Sequence, residues 1–319
     1  MAEVPIPKEK WSGKIGEVTL GATEEDGGPL ERKVTVGGQT GMPFLSFENE
    51  YPNRPTIAGE VMDTPRELPE LAKEPFGDAL QDPVEWARKW VEEYDADLIC
   101  LRLLSTNPEE EDTSSKEAAE LVKRMIEEVK VPLIVYGCEH EEKDAKTMEE
   151  VSNIAPDARM LMARAEEESY KSVSAAAMAN RHAVVGFSNL DINLAKQISI
   201  LLTDFGVQLE DIVADPLMAA LGMGLEYSYS VNERIRLAAL MGDKMLQTPM
   251  VCDASTGWDA REATDEETPG YGDVHERVVW WEFTTALAAL LSGADMLIMR
   301  SPYAVKMVNE AVDDLLGGD

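Results

Sequence analysis

HAVVGFSNLDINLAKQISILLTDFGV, residues 182–207, reads as one buried strand, one polar turn and one helix. The run Ala183–Phe187 is apolar and partly β-branched, with no in/out alternation, as expected of a strand covered on both faces. Ser188 and Asn189 end it. Asp191 is placed to cap a helix whose Leu194, Ile198, Leu201 and Leu202 recur at helical spacing, and Gly206 stops it.

The same unit recurs on both sides. Strand-like runs at 56–61, 97–104, 131–136, 159–163, 211–214, 250–252 and 295–299 alternate with helical patterns at 82–94, 114–129, 144–154, 166–180, 231–245, through Trp281 and Leu291, and to Leu316. Eight strand–helix pairs in one run predict an α/β fold, a (β/α)8 TIM barrel, rather than an open doubly wound sheet. The dinucleotide-binding form of the open sheet also lacks its GxGxxG. Residues 1–54 differ: Glu17–Leu20 and 33–36 read as two strands joined by a Gly- and acid-rich turn. The expectation is an N-terminal hairpin extension, 1–54, that plugs the barrel's N-terminal end, followed by a barrel domain, 55–319.

The 319 residues are 44% hydrophobic, enough for a large core, and carry a formal net charge of −32. Such a surface repels phosphate backbones and anionic lipid, so neither nucleic acid nor a membrane is an expected partner; the simplest role of the acidity is solubility. Cys100, Cys138 and Cys252 lie in or beside apolar runs without a CxxC pair, so they read as buried reduced thiols rather than ligands of a cluster or zinc. No signal-like or bilayer-length apolar run occurs in the sequence, and a cytoplasmic location is expected.

In a barrel the strand ends converge on one mouth. Asp63, Ser105, Thr106, Asn107, Arg164, Ser188, Asn189, Asp215, Asp253, Ser255, Arg300 and Ser301 would gather there. They form a mostly neutral hydrogen-bonding set suited to a polar organic ligand rather than a triphosphate or a metal. Taken singly, each is as well explained as a helix cap or ion pair. His140, His182 and His275 are isolated, no HExxH or GxSxG occurs, and no catalytic residue or metal ligand is assigned. Asp273-Val-His275 begins like a cobalt-ligating Asp-x-His-x-x-Gly, but Val278 replaces the glycine and the match reads as chance. Two excursions, 219–230 and 258–275, carry Met, Tyr and Trp where solvated loops carry charge. They read either as a covered mouth or as loops packed on themselves.

Several stretches together resemble one family: GQTGMPF at 38–44, PNRP at 52–55, LICLRL at 98–103, VGFSN at 185–189, ADPL at 214–217, CDASTGW at 252–258, YGDVHER at 271–277 and MRSPY at 299–303. Over nearly the whole chain the sequence resembles the small subunit of the corrinoid iron–sulfur protein of the acetyl-CoA pathway.

The resemblance implies an eight-fold βα barrel that pairs with a large corrinoid iron–sulfur subunit. That partner holds the 4Fe–4S cluster, and the cobalamin-type corrinoid lies between it and the barrel mouth. The heterodimer accepts a methyl group from methyltetrahydrofolate through a separate methyltransferase and passes it to acetyl-CoA synthase. The expected corrinoid contacts are Asn107, Ser188, Asn189, Asp215, Asp253, Ser255, Thr256 and Arg300. The runner-up is a free-standing pterin-dependent methyltransferase, since Asn189 and Asp215 resemble pterin-holding strand-end positions of that barrel class.

Overall fold

The computed structural model describes residues 5–47, 50–268 and 270–317. Strands β1 (Glu17–Leu20) and β2 (Val34–Gly37) form an antiparallel hairpin, Val18 opposite Val36 and Leu20 opposite Val34. Eight parallel strands follow: β3 (Thr56–Met62), β4 (Leu98–Arg102), β5 (Leu133–Tyr136), β6 (Leu161–Ala165), β7 (Ala183–Phe187), β8 (Ile212–Asp215), β9 (Val251–Asp253) and β10 (Met296–Met299). They pair in the order β8-β7-β6-β5-β4-β3-β10-β9. A bridge between Ala214 and Met250, with Ala214 N donating to Pro249 O at 2.8 Å, joins the two ends. The sheet is therefore a (β/α)8 barrel and not an open one.

The helices are α1 (Glu70–Lys73), α2 (Pro83–Glu93), α3 (Ser115–Glu128), α4 (Glu141–Ile154), α5 (Tyr170–Ala179), α6 (Ile192–Phe205), α7 (Leu225–Leu240), α8 (Arg261–Thr264), α9 (Val274–Ser292) and α10 (Pro302–Leu316). Asp191 caps α6 as its sequence implies, accepting from Asn193 N at 2.7 Å and Leu194 N at 3.3 Å, and Gly206 ends it. Several boundaries differ from the sequence reading: β6 lies two residues later than 159–163, α7 ends at Leu240 rather than 245, and three helix starts move. Helix α4 begins earlier, because His140 Nδ1 accepts from Lys143 N and serves as its cap. Helix α5 begins only at Tyr170, after the Glu166–Ser169 turn closed by Ser169 Oγ. Helix α7 begins at Leu225, so half of the 219–230 excursion is helical, its entry held by Ser228 Oγ between Ala219 N and Leu217 O.

Apolar side chains form two layers. Inside the barrel, Ala58, Leu98, Cys100, Ile134, Leu161, Val185, Val213, Val251 and Ile298 pack with Val18, Leu20 and Val36 of the hairpin. The hairpin is thus a plug at the N-terminal end. Outside, residues such as Ile57, Val61, Ile99 and Leu297 pack against the helices. At Gly59 the indole of Trp90 lies so close that an added Cβ would stand 2.5 Å from the ring. None of the described helices is long and apolar enough to cross a membrane.

Leu20→Ala should destabilise the chain by about 2–5 kcal/mol through the cavity left in the plug, and Gly59→Ala by about 1–3 kcal/mol through overpacking on Trp90. Urea unfolding of both variants checks this; an unchanged midpoint for Leu20→Ala would show that the hairpin contributes nothing to the barrel.

Candidate functional site at the barrel mouth

Side chains on a strand alternate between the barrel interior and the helices, so the last inward residue of each strand stands at the C-terminal mouth. The inward series are Ala58 then Glu60, Cys100 then Arg102, Ile134 then Tyr136, Val185 then Phe187, Val213 then Asp215, Val251 then Asp253, and Ile298 then Arg300. In each, an apolar residue fills the barrel and the next faces a cavity of about 950 Å³.

Glu60 is at the centre of its floor. Its side chain is fully buried and accepts from Arg102 Nε at 2.6 Å and from Arg300 Nε at 2.6 Å, from the strands on either side. Ser255 Oγ approaches at 3.3 Å. Arg102 also bonds Asp253, whose Oδ1 accepts from Ser255 Oγ at 2.6 Å. Burial alone raises the Glu60 acid, but the two guanidiniums outweigh it and hold the group at about 2. Two carboxylates thus balance two arginines.

Glu282, reaching in from α9, is also fully buried. It accepts from Arg300 N at 2.5 Å, Ser301 N at 2.9 Å and Trp258 Nε1 at 2.8 Å, joining the end of β10 to the segment after β9. Burial pushes its carboxyl up to about 8, against those three donors. Asp215 is held by Leu217 N at 2.9 Å and the Tyr136 hydroxyl at 3.4 Å rather than by a guanidinium. Burial raises it to about 6.

Above the floor the rim is acidic. Arg164 stacks on the Phe187 ring at 4.0 Å and bonds Glu139 at 3.0 Å and Glu166 at 2.8 Å. A register shift in β6 between Met162 and Ala165 turns both Ala163 and Arg164 toward the cavity. Among the described residues the lining holds ten carboxylates and three arginines. The expected neutral mouth is therefore corrected: acids from the helix-side loops, absent from a list of strand ends, dominate it.

Of the residues singled out by sequence, Asn107, Arg164, Asn189, Asp215, Asp253, Ser255, Thr256 and Arg300 line the cavity. Ser188 does not. One position past the inward Phe187, it turns away from the mouth, its N–H bonded to Asp215 O at 2.9 Å and its Oγ buried without a partner. Asp63 holds Ser105 through its hydroxyl and N–H, and Ser301 caps α10. Cys138 is half-buried at the mouth rather than in the core, and its N–H and Sγ donate to Asp144. His275 lies on the outside of α9, 3.5 Å from Glu74, and Asp273 is that helix's cap. Described residues of the 258–275 excursion are pinned to α9: Arg277 donates to the carbonyls of Ala263, Asp265 and Tyr271, and Trp258 donates to Glu282. Sequence reading missed Glu60, Arg102, Tyr136 and Glu282. The first three were legible as polar residues on the inward period of an apolar strand; Glu282, on an outer helix, left no such signal.

A family model described as CdhD, CO dehydrogenase/acetyl-CoA synthase delta subunit, matches residues 17–313. The acetyl-CoA decarbonylase/synthase complex subunit delta of Archaeoglobus fulgidus is 37% identical over 98% of this chain and 70% of its own length. Its counterpart from Methanopyrus kandleri is 37% identical over 96% of this chain and 76% of its own length. Among solved structures, the dihydropteroate synthase of Xanthomonas albilineans in complex with 7,8-dihydropteroate superposes with a TM-score of 0.58. It is 15% identical and covers 87% of this chain and 99% of the synthase, a likeness of barrel fold alone.

Glu60→Gln should cost about 3 kcal/mol or more, because it leaves two interior guanidiniums without their shared charge. The sign with pH is definite. A carboxyl held at about 2 rather than its ordinary 4.5 contributes stability that is complete above 4.5 and is lost as pH falls toward 2. Denaturant midpoints measured from pH 6 down to pH 2.5 should converge for the wild type and Glu60→Gln; parallel curves would remove Glu60 as the linked group.

Proposed function

The chain belongs to the CO dehydrogenase/acetyl-CoA synthase delta-subunit family, and from that premise we propose that it is the small subunit of a heterodimeric corrinoid methyl carrier. Its mouth caps a corrinoid held by a large iron–sulfur subunit, in which the 4Fe–4S cluster resides. The heterodimer takes a methyl group from methyltetrahydrofolate through a separate methyltransferase and gives it to acetyl-CoA synthase.

The observation that carries this reading is the mouth itself, a cavity of about 950 Å³ on a barrel of this family. Its size is at the upper end of small-molecule sites, which range over roughly 300–1,000 Å³. Its lining suits a corrin periphery of methyl groups and amide side chains. Met62, Met148, Met218 and Phe187 offer apolar contact. Asn107 Oδ1 already accepts from Glu109 N at 3.0 Å, which leaves its amide N–H groups to donate. Asn189 and Thr256 add an amide and a hydroxyl on other loops.

A corrinoid supplies the cobalt that accepts and releases the methyl group. The residues of this chain orient it and exclude water from one face. The Glu60, Arg102, Arg300 and Asp253 network gives the floor a fixed shape. None of the three histidines lines the cavity: His140 caps α4, His182 is buried before β7 and His275 faces outward. Axial donation to cobalt by an imidazole of this chain is not part of the reading.

Co-expression with the large subunit should yield a one-to-one complex with corrin absorbance, whereas the chain alone should be colourless. Asn107→Ala and Asn189→Ala should speed corrinoid loss several-fold, followed by the visible spectrum during dialysis. A lone chain that binds methyltetrahydrofolate and methylates free cobalamin would overturn the carrier reading in favour of a pterin-dependent methyltransferase.

A further inference from the structure

We propose that the mouth selects its ligand by charge: it takes a corrinoid whose peripheral side chains are neutral primary amides and discriminates against one that carries peripheral carboxylates. The inference rests on the carrier reading and concerns what this chain contributes to recognition.

The warrant is how the charges of the cavity are already used. Every guanidinium in its lining is committed to carboxylates of the chain itself. Arg102 bonds Glu60 and Asp253, Arg300 bonds Glu60, and Arg164 bonds Glu139 and Glu166. Among the described residues no lysine lines the cavity. An anion entering it therefore meets no guanidinium that is not already paired with a carboxylate of the chain, inside on the floor or exposed on the rim. The carboxylates are not all spent in this way. Glu141, Glu168 and Asp259 line the cavity and make no ion pair among the described residues.

What remains open to a ligand is thus a ring of hydrogen-bond acceptors around a floor whose own charges cancel. A primary amide brings two N–H donors and no charge, and it satisfies such acceptors. A carboxylate at the same place brings only acceptors and a like charge. Glu141, Glu168 and Asp259 stand exposed on the rim, so the repulsion acts between solvated charges and is strongest at low salt.

Corrinoid-free heterodimer is titrated with cyanocobalamin and with the monocarboxylic acids obtained by hydrolysing one of its peripheral amides. Affinity is read from the shift of the corrin spectrum and from equilibrium dialysis. The amide form should bind at least about tenfold more tightly at pH 7 and low salt. The ratio should fall toward one in the triple variant Glu141→Gln, Glu168→Gln, Asp259→Asn. Each single variant should reduce it in part, and elution as a heterodimer reports folding of all four variants.

Equal binding of amide and acid forms by the wild type would overturn the proposal, as would a ratio unchanged in every variant, which would assign the selectivity to the partner. In both cases the carrier reading stands. Failure of the wild-type heterodimer to bind either form would remove the carrier reading and this inference with it.

Discussion

A carboxylate with no access to water is the constraint on which the mouth depends. Glu60 can be ionised inside the barrel only if charge and hydrogen bonds replace its hydration, since an unpaired interior ion costs several kcal/mol. Arg102 and Arg300 supply both, from the two strands that pair with β3. The register of β3 against β4 and β10 is therefore fixed twice: by the backbone ladder, and by the need to bring two guanidiniums to one carboxylate. A one-residue slip of either neighbour would turn its arginine out toward the helices and leave Glu60 bare. Glu282 extends the constraint to the outer layer, because its acceptors tie the backbone of Arg300 and Ser301 to the Trp258 indole.

The two ends of the barrel divide the work. At the N-terminal end Val18, Leu20 and Val36 continue the apolar interior and seal it. At the C-terminal end the same inward period delivers Glu60, Arg102, Tyr136, Asp215, Asp253 and Arg300. The change from apolar to polar takes place within one inward step on six of the eight strands, β7 ending instead in Phe187 and β6 in Ala163. That sharpness is what allows a charged floor to rest directly on a close-packed core.

The fold was largely legible because each strand is short, apolar and bounded by turn chemistry, and because Asp191, Asp82 and Ser114 sit where caps belong. Boundaries failed where capping was unusual, as with His140, or where a polar stretch such as Leu225–Ser230 is helical through its packing rather than its pattern. The site was legible in part. Strand ends and the positions just after them give eight cavity residues, but a strand apolar on both faces conceals its alternation, so Ser188 falls in that set while Glu60, Arg102 and Tyr136 do not. A fully buried strand hides its two faces in an unbroken apolar run; only a polar residue inside the run betrays which face is which. Glu282 is legible only in three dimensions, since nothing in VVWWEF shows that one carboxyl points inward beneath a distant loop.

Two acids of the cavity floor show how environment rather than residue type sets charge. Glu60 and Asp215 are both buried, and burial acts on both in the same direction. Glu60 faces two guanidiniums and stays ionised down to about 2, while Asp215, held by an amide and a phenol, is pushed up to about 6. The Glu60 side of the mouth therefore has a charge that neither pH nor ligand readily changes. The Asp215 side can gain a proton near neutrality and turn from acceptor to donor. The arginines hold the floor's shape because they are spent on it, and for the same reason they are not available to a ligand. The acidity that looks, in the sequence, like a solvated surface is at the mouth the unspent remainder of that arrangement.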